Sequence, residues 1–217
     1  MHYGTLLAAL TPHADPARAA PMAAYMQNRF DFFGIAKPQL KRICKPLFKG
    51  AAQAAVDWNF VRQCWANPHR ELQYCALEYL RAVQKNLTPQ DVPRLQALII
   101  DKPWWDSADV LDRIVGGIAL RHPPVNATLL AWSQSDNIWL RRVAIDHQLL
   151  RKEQTDTALL EQILRNNLGQ TEFFINKAIG WALRDYSKTN PQWVRRFIEQ
   201  HRSRMARLSV REASKYL

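Results

Sequence analysis

A tryptophan and an aspartate stand one helical turn apart within residues 101–109. Trp105 and Asp109 are separated by four positions, so on a helix their side chains share a face. An indole beside a carboxylate can hold the apolar face of a sugar and stabilise positive charge that develops next to it. The alternative is a core tryptophan beside a surface aspartate that pairs with Arg113, four residues further on. Spacing alone favours this alternative.

Two adjacent arginines interrupt an apolar helical pattern at residues 137–144. Because the rest of this helix is apolar, either Arg141 or Arg142 must lie near the buried boundary. A guanidinium group matches two phosphate oxygens at once, which indicates phosphate binding. The alternative is an ion pair within the helix between Arg142 and Asp146.

The same combination recurs at residues 173–186, where an aromatic and a basic side chain fall on one helix face. These are Trp181 and Arg184. The arrangement repeats that of the preceding segment, although Trp181 also fits a plain core position.

Lysines occupy every fourth position after Gly34. They are Lys37, Lys41, Lys45 and Lys49. On a helix they would line one face, and Pro46 is expected to bend or end that helix. The pattern fits a phosphate-binding surface and an ordinary solvated face equally well.

The charge balance favours a polyanionic partner. The 217 residues include 30 Lys+Arg against 19 Asp+Glu, a formal net charge of +11, together with eight tryptophans. Excess positive charge attracts nucleic acid, and aromatic residues among cations suit stacking on bases or sugars. The alternative is a basic protein with no polyanionic ligand.

Several classes of protein lack support in the sequence. Phosphate-binding glycine loops, dinucleotide fingerprints, zincin motifs and nucleophile elbows are missing, and the six histidines have no ligand spacing. Three cysteines without a CxxC pair support neither a disulfide framework nor a zinc site. No apolar run reaches the roughly 18 residues of a membrane span, and the N-terminus lacks a signal-peptide pattern. We therefore expect a cytoplasmic protein.

Helix-start signals divide the chain into short segments. They are Thr88 before Pro89 with Asp91 following, Asn190 before Pro191, and Ser209 with Glu212 as a capping box. Between them the apolar residues keep helical spacing. Glycine is scarce, at seven residues, which favours helices over strands.

Corresponding positions in these helices recur every 34 residues. The matching positions are Ala76, Val110, Ala144 and Ala178. A unit of this length is typical of a helix pair that stacks on its neighbours. We therefore predict an all-α fold, an α-solenoid of HEAT-like repeats with a concave basic face, as one domain over residues 1–217. The alternative is an ordinary helical bundle.

Five segments together carry a resemblance to a known family. They are AYMQNRF (24–30) followed by FGI (33–35), WWDSAD (104–109), NIWLRR (137–142), FINKAIGW (174–181) and LSVREA (208–213). In this order, and over nearly the whole chain, the sequence resembles the bacterial DNA alkylation repair glycosylases of the HEAT-like repeat (AlkD) type.

The resemblance implies a monofunctional glycosylase that removes cationic N3- and N7-alkylated purines from double-stranded DNA. It implies no metal or other cofactor, no flipping of the base into a deep pocket, and a protein that acts as a monomer. Asp109 is similar to the family's catalytic carboxylate, and Trp105 and Trp181 to the aromatics that flank the deoxyribose. Tyr25 resembles a further residue lining the site.

The resemblance also implies DNA contacts. Arg142 and Arg184 are similar to phosphate-binding arginines, and we expect Lys37, Lys41 and Arg141 to bind DNA as well. Relatives carry a small hydroxyl residue where this chain has Lys37, a departure that affects affinity more than chemistry. The alternative functions are a non-catalytic HEAT-like module that binds DNA through its backbone and a protein-binding helical scaffold.

Overall fold

The chain is built from helices joined by short turns. The structure, a computed structural model, describes residues 2–217. In that range it contains thirteen α-helices and no β-strand, and an isolated bridge joins Asp31 to His69. The predicted all-α fold is confirmed. None of these helices is long and apolar enough to cross a lipid bilayer.

The helices divide between two compact units, Met1–Leu87 and Thr88–Leu217. The first unit contains α1 (Tyr3–Leu10), α2 (Pro16–Tyr25), α3 (Lys37–Leu47), α4 (Trp58–Ala66) and α5 (Arg70–Ala82). The second contains α6 (Val92–Ile100), α7 (Trp105–Arg121), α8 (Asn126–Trp132), α9 (Ile138–Asp146), α10 (Thr157–Asn166), α11 (Phe173–Ser187), α12 (Pro191–His201) and α13 (Arg207–Ala213). A single domain over residues 1–217 stays a prediction.

The 34-residue phase falls on four helices. Ala76, Val110, Ala144 and Ala178 lie in α5, α7, α9 and α11, and the three alanines are fully buried. Within the second unit, α7, α9, α11 and α13 contact one another in that order. The apolar faces that share this phase are therefore used for contact between successive helices.

Glycine allows the closest of these contacts. A Cβ atom at Gly116 of α7 would lie 2.0 Å from the carbonyl oxygen of His147 at the end of α9. At Gly180 of α11, a Cβ atom would lie 2.6 Å from the Cβ atom of Glu212 in α13. Both distances are shorter than real Cβ contacts, so each pair of helices approaches this closely only because glycine has no side chain.

Two of the three predicted helix starts are confirmed. Thr88 and Asp91 form a capping box, although it opens a 3₁₀ turn that runs into α6. Asn190 caps α12 by accepting a hydrogen bond from the Trp193 amide at 3.0 Å.

The capping box predicted at Ser209 and Glu212 is wrong. Ser209 lies inside α13, which begins at Arg207, and its hydroxyl donates to the carbonyl oxygen of Asn176 at 2.7 Å. Glu212 instead pairs with basic residues of α11 and with Lys215. Contacts with α11 use both polar groups, so neither is available to cap its own helix.

A buried carboxylate fixes the segment that leads into α3. Glu71 accepts hydrogen bonds from the backbone amides of Phe33, Gly34 and Ile35 at 2.9 to 3.1 Å. Gly34 has a φ of +89°, and a Cβ atom there would lie 2.1 Å from the Asp15 carbonyl oxygen. This loop therefore requires glycine, and it sets the start of the lysine-bearing helix.

Candidate functional site

The proposed catalytic carboxylate lies in the first turns of α7. Trp105 begins this helix and Asp109 follows one turn later; both side chains are half-buried, and the Asp109 side chain is 18% exposed. The buried indole of this segment is Trp104, at 5% exposure. Trp104, rather than Trp105, therefore occupies the core position that the sequence allowed for Trp105.

Arg142 is the ion-pair partner of Asp109. Its Nε and Nη2 atoms both lie 2.8 Å from Asp109 Oδ1, and its Nη1 donates to the carbonyl oxygen of Phe174 at 2.8 Å. The side chain is only 2% exposed. Asn137 caps the start of α9 by accepting from the amides of Trp139 and Leu140, which sets the helix that presents this arginine.

The two local ion pairs that the sequence allowed, Asp109 with Arg113 and Arg142 with Asp146, are not the main contacts of Asp109 and Arg142. Arg113 donates to the backbone oxygen of Asp109 rather than to its carboxylate. The pair within α9 is present but longer, with Arg142 Nη2 lying 3.9 Å from Asp146 Oδ2. Asp109 is therefore held across two helices, from α9 to α7.

The hydrogen bond and the ion-pair contact from Arg142 reach the same oxygen of Asp109. Oδ1 accepts from Nε and pairs with Nη2, whereas Oδ2 makes no hydrogen bond with any residue in the range 2–217. One oxygen thus anchors the carboxylate, and the other remains available to a ligand or a water molecule.

Trp181 of α11 lies among three cations. The centre of its ring is 5.3 Å from Arg142 Cζ, 5.7 Å from Arg184 Cζ and 5.8 Å from Lys177 Nζ. The shared face predicted for Trp181 and Arg184 is confirmed. Because Arg142 also contacts Asp109, the indole and the carboxylate belong to one cluster in the second unit.

Arg184 is paired with Glu212 of α13. Arg184 Nη1 lies 2.7 Å from Glu212 Oε2, while Lys177 Nζ lies 3.0 Å from Oε1 and Lys215 Nζ 2.9 Å from Oε2. Hydrogen bonds from Lys215 and Lys177 lower the pKa of Glu212 to about 2. The Glu212 carboxylate therefore pairs with three cations, so these four side chains together carry a net positive charge.

Two buried carboxylates complete the cluster: Asp146, which the sequence suggested only as a partner of Arg142, and Asp112, which it did not suggest. Asp112 and Asp146 each have side chains 1% exposed. Burial raises the pKa of Asp112 to about 7 and raises that of Asp146 as well, with Arg142 acting in the opposite direction. The sequence did carry a signal for them, since the two residues stand 34 positions apart, at one phase of the repeat.

Together with Asp109, these two carboxylates form a group of oxygen atoms that could hold a cation. Oxygens of Asp109, Asp112 and Asp146 all lie within 4.8 Å of one another. The Arg142 guanidinium already contacts Asp109 and Asp146, so it supplies positive charge at this place.

Arg141 points to a different neighbour from Arg142. Its side chain is half-buried, and its Nε donates to Asn167 Oδ1 at 2.8 Å. Of the two adjacent arginines, Arg142 is therefore the one at the buried boundary, as the apolar pattern required of one of them.

The remaining predicted residues belong to the first unit. Tyr25 ends α2 and is 72% exposed. Lys37 begins α3 with its Nζ 4.9 Å from the centre of the Tyr74 ring, and Lys41 Nζ lies 3.7 Å from Glu78 Oε1.

The predicted line of four lysines is shorter than expected. Helix α3 ends at Leu47, one residue after Pro46, so Lys49 lies beyond the helix. Proline both removes a backbone donor and clashes with the preceding turn, which explains the end of α3. Lys37, Lys41 and Lys45 remain on it and are exposed.

The chain is similar to proteins of one family over almost its full length. Residues 6–217 match the family described as DNA alkylation repair enzyme. A solved structure described as "Predicted DNA alkylation repair enzyme from Enterococcus faecalis" is 35% identical, with a TM-score of 0.87. The match covers 94% of this chain and 96% of that chain. Among curated proteins, none matches.

Proposed function

Because the chain belongs to the DNA alkylation repair enzyme family, we propose that it is a monofunctional DNA glycosylase. It hydrolyses the N-glycosidic bond of cationic N3- and N7-alkylated purines in duplex DNA, without moving the base into a deep pocket. Its helices form an α-solenoid of HEAT-like repeats whose concave face is basic. The observation that carries the proposal is the Asp109 carboxylate, which Arg142 anchors through Oδ1 and whose Oδ2 accepts no hydrogen bond from residues 2–217.

The chemistry follows from the charge of the lesion. An alkylated purine is already positive, so it leaves as a neutral base and takes the bonding electron pair with it. Positive charge then moves onto the sugar, which becomes an oxocarbenium-like centre. A fixed carboxylate stabilises this state more than the ground state, and such differential stabilisation accelerates the reaction.

Water completes the reaction at C1′ of the sugar. A bond forms between the water oxygen and C1′, and one proton leaves the water. Asp109 Oδ2 orients this water molecule and accepts its proton. The products are a free base and an abasic sugar, and protonation of the departing base by a general acid is not needed.

The indoles of Trp105 and Trp181 flank the deoxyribose. Their electron-rich faces favour a growing cation, as they favour a guanidinium or an ammonium group. Trp181 has three such groups within 6 Å, which supports this use of its ring. Trp105 shares the helix of Asp109 at a separation of one turn.

Arg142 serves this reaction by orienting Asp109. Two of its nitrogen atoms fix the carboxylate, and the third is bonded to a backbone carbonyl. A direct phosphate contact by Arg142, implied by the resemblance, stays a prediction. Arg184, Arg141, Lys37 and Lys41 bind DNA phosphates, and Tyr25 contacts the substrate near the lesion.

The decisive experiment is incubation with methylated genomic DNA followed by chromatography of the released bases. We expect 7-methylguanine or 3-methyladenine to be released with or without a chelator, and nothing from unmethylated DNA. Duplex binding without any base release would contradict the proposal and favour the non-catalytic HEAT-like module.

A further inference from the structure

Two exposed arginines share an open pocket in the second unit. The pocket is lined by Gln162, Arg165, Asn166 and Arg204, two guanidinium groups and two amides with no carboxylate. Both arginines are exposed, and neither side chain has a hydrogen bond or an ion pair with any residue in the range 2–217. No carboxylate in that range therefore pairs with either charge.

The pocket lies where two turns of the chain meet. Arg165 is in the last turn of α10, and Arg204 ends the 3₁₀ turn before α13. The amide of Gly169, in the turn between α10 and α11, donates to the carbonyl oxygen of Arg204 at 2.9 Å. This hydrogen bond fixes the two turns, and thus both arginines, relative to each other.

A third arginine borders the same turn. Asn167 accepts from Arg141 Nε at 2.8 Å and donates to the carbonyl oxygen of Ser133 at 3.0 Å. The turns that precede α9, α11 and α13 are thus joined one to the next. We name Arg141, Arg165 and Arg204 the arginine edge, because each lies at or beside one of these successive turns.

We propose that Arg165 and Arg204 together bind a backbone phosphate of duplex DNA, so that the arginine edge follows one DNA strand. This rests on the proposed function, which supplies the DNA substrate. The planar fork of arginine fits phosphate oxygens, and the side-chain amide of Gln162 adds a neutral donor, whereas that of Asn166 donates to Ser133 Oγ at 2.8 Å. The pocket contributes affinity for DNA of any sequence and does not take part in bond cleavage.

The alternative explanation is local, since a cation in the last turn of a helix also stabilises that helix. The test therefore compares the double variant Arg165→Ala/Arg204→Ala with Arg195→Ala/Arg202→Ala. The control removes the same charge from exposed positions that do not line the pocket. Fluorescence anisotropy with an undamaged duplex gives the Kd at several KCl concentrations, and single-turnover excision is measured at saturating enzyme.

We expect the pocket variant to bind the duplex about tenfold more weakly. The slope of log K against log [KCl] should fall by about 1 relative to the control, and the excision rate at saturation should be unchanged. Equal affinity and slope in the two double variants would overturn the proposal, as would a lower melting temperature with unchanged Kd. Failure of the wild-type protein to excise bases contradicts the glycosylase alone. Failure to bind duplex DNA contradicts both.

Discussion

The carboxylates of Asp112 and Asp146 lie within 4.8 Å of each other inside the second unit. Neither side chain is more than 1% exposed. Asp112 Oδ2 and both oxygens of Asp146 accept no hydrogen bond from the residues that the structure describes, 2–217. Burial disfavours the ionised form and raises the pKa of both carboxyl groups, and for Asp146 repulsion by Asp112 acts in the same direction. Both groups therefore retain a proton to a higher pH than carboxyl groups in water do.

Replacing Asp112 by asparagine is expected to change how stability depends on pH. Burial raises the pKa of Asp112 from 3.8 to about 7, so between these values the folded state binds a proton that the unfolded state has lost. The contribution of Asp112 to the free energy of unfolding is fully present below pH 3.8. It decreases as the pH rises to about 7, by up to roughly 1.4 kcal/mol per pH unit. Asp112→Asn lacks this decrease.

Urea denaturation at pH 4, 5.5 and 7 measures the effect. The free energy of unfolding of Asp112→Asn, minus that of the wild type, should rise across the series. Asp136→Asn alters an exposed carboxylate and should give a curve parallel to the wild type. A parallel curve for Asp112→Asn would show that this carboxyl group titrates normally.

Asp109→Asn tests the reacting carboxylate. The amide cannot stabilise a developing cation, so release of 7-methylguanine from methylated DNA should slow by at least about 10²-fold, while duplex binding stays nearly intact. Base release is followed by chromatography and binding by anisotropy, with Asp136→Asn again as the matched change. Full activity in Asp109→Asn would remove the proposed mechanism.

Arg142→Ala is expected to damage the fold and the substrate complex together. Removing one partner of a buried ion pair leaves a desolvated charge and costs about 3–5 kcal/mol of stability. DNA binding should weaken by roughly 1–3 kcal/mol if the charge-assisted contact is made. Denaturation in urea and DNA titration separate the two effects. Arg141→Ala, which removes a half-buried neighbour, should have a smaller effect on stability.

Arg142→Lys distinguishes charge from geometry. Lysine restores a cation but cannot bond Asp109 and the Phe174 carbonyl oxygen with the same planar group. We expect stability between those of the wild type and Arg142→Ala, and slow excision. An unchanged Kd for DNA in both variants would reassign Arg142 to a structural role.

Neighbouring glycines of α7 should respond in opposite directions to alanine. At Gly116 a Cβ atom would lie 2.0 Å from the His147 carbonyl oxygen, whereas at Gly117 the nearest atom is Arg121 Nη1 at 3.6 Å. Gly116→Ala should cost about 1–3 kcal/mol because α7 and α9 must separate. Gly117→Ala should stabilise the helix by about 1 kcal/mol. Thermal unfolding of the two variants compares them directly, and equal shifts would contradict the packing described.

Sequence patterns predicted contacts within one helix better than contacts between helices. The shared face of Trp181 and Arg184 follows from helical geometry, and the 34-residue phase located α5, α7, α9 and α11. Helical spacing offered Asp146 as an alternative partner of Arg142, but tertiary packing brings Asp109 closer. No local pattern reveals that the Ser209 hydroxyl bonds α11, so the predicted capping box at Ser209 is wrong for the same reason. Comparing polar residues at the 34-residue step would have found Asp112.

Two hydrogen bonds and an ion-pair contact hold the Arg142 guanidinium in the protein without a ligand. A long, flexible side chain ordered only on binding would lose rotamer entropy worth about 0.5–1.5 kcal/mol. Folding has already immobilised this one, so association with the proposed DNA substrate would carry no such loss at Arg142. The orientation that Arg142 gives to Asp109 is therefore already present in the protein without DNA.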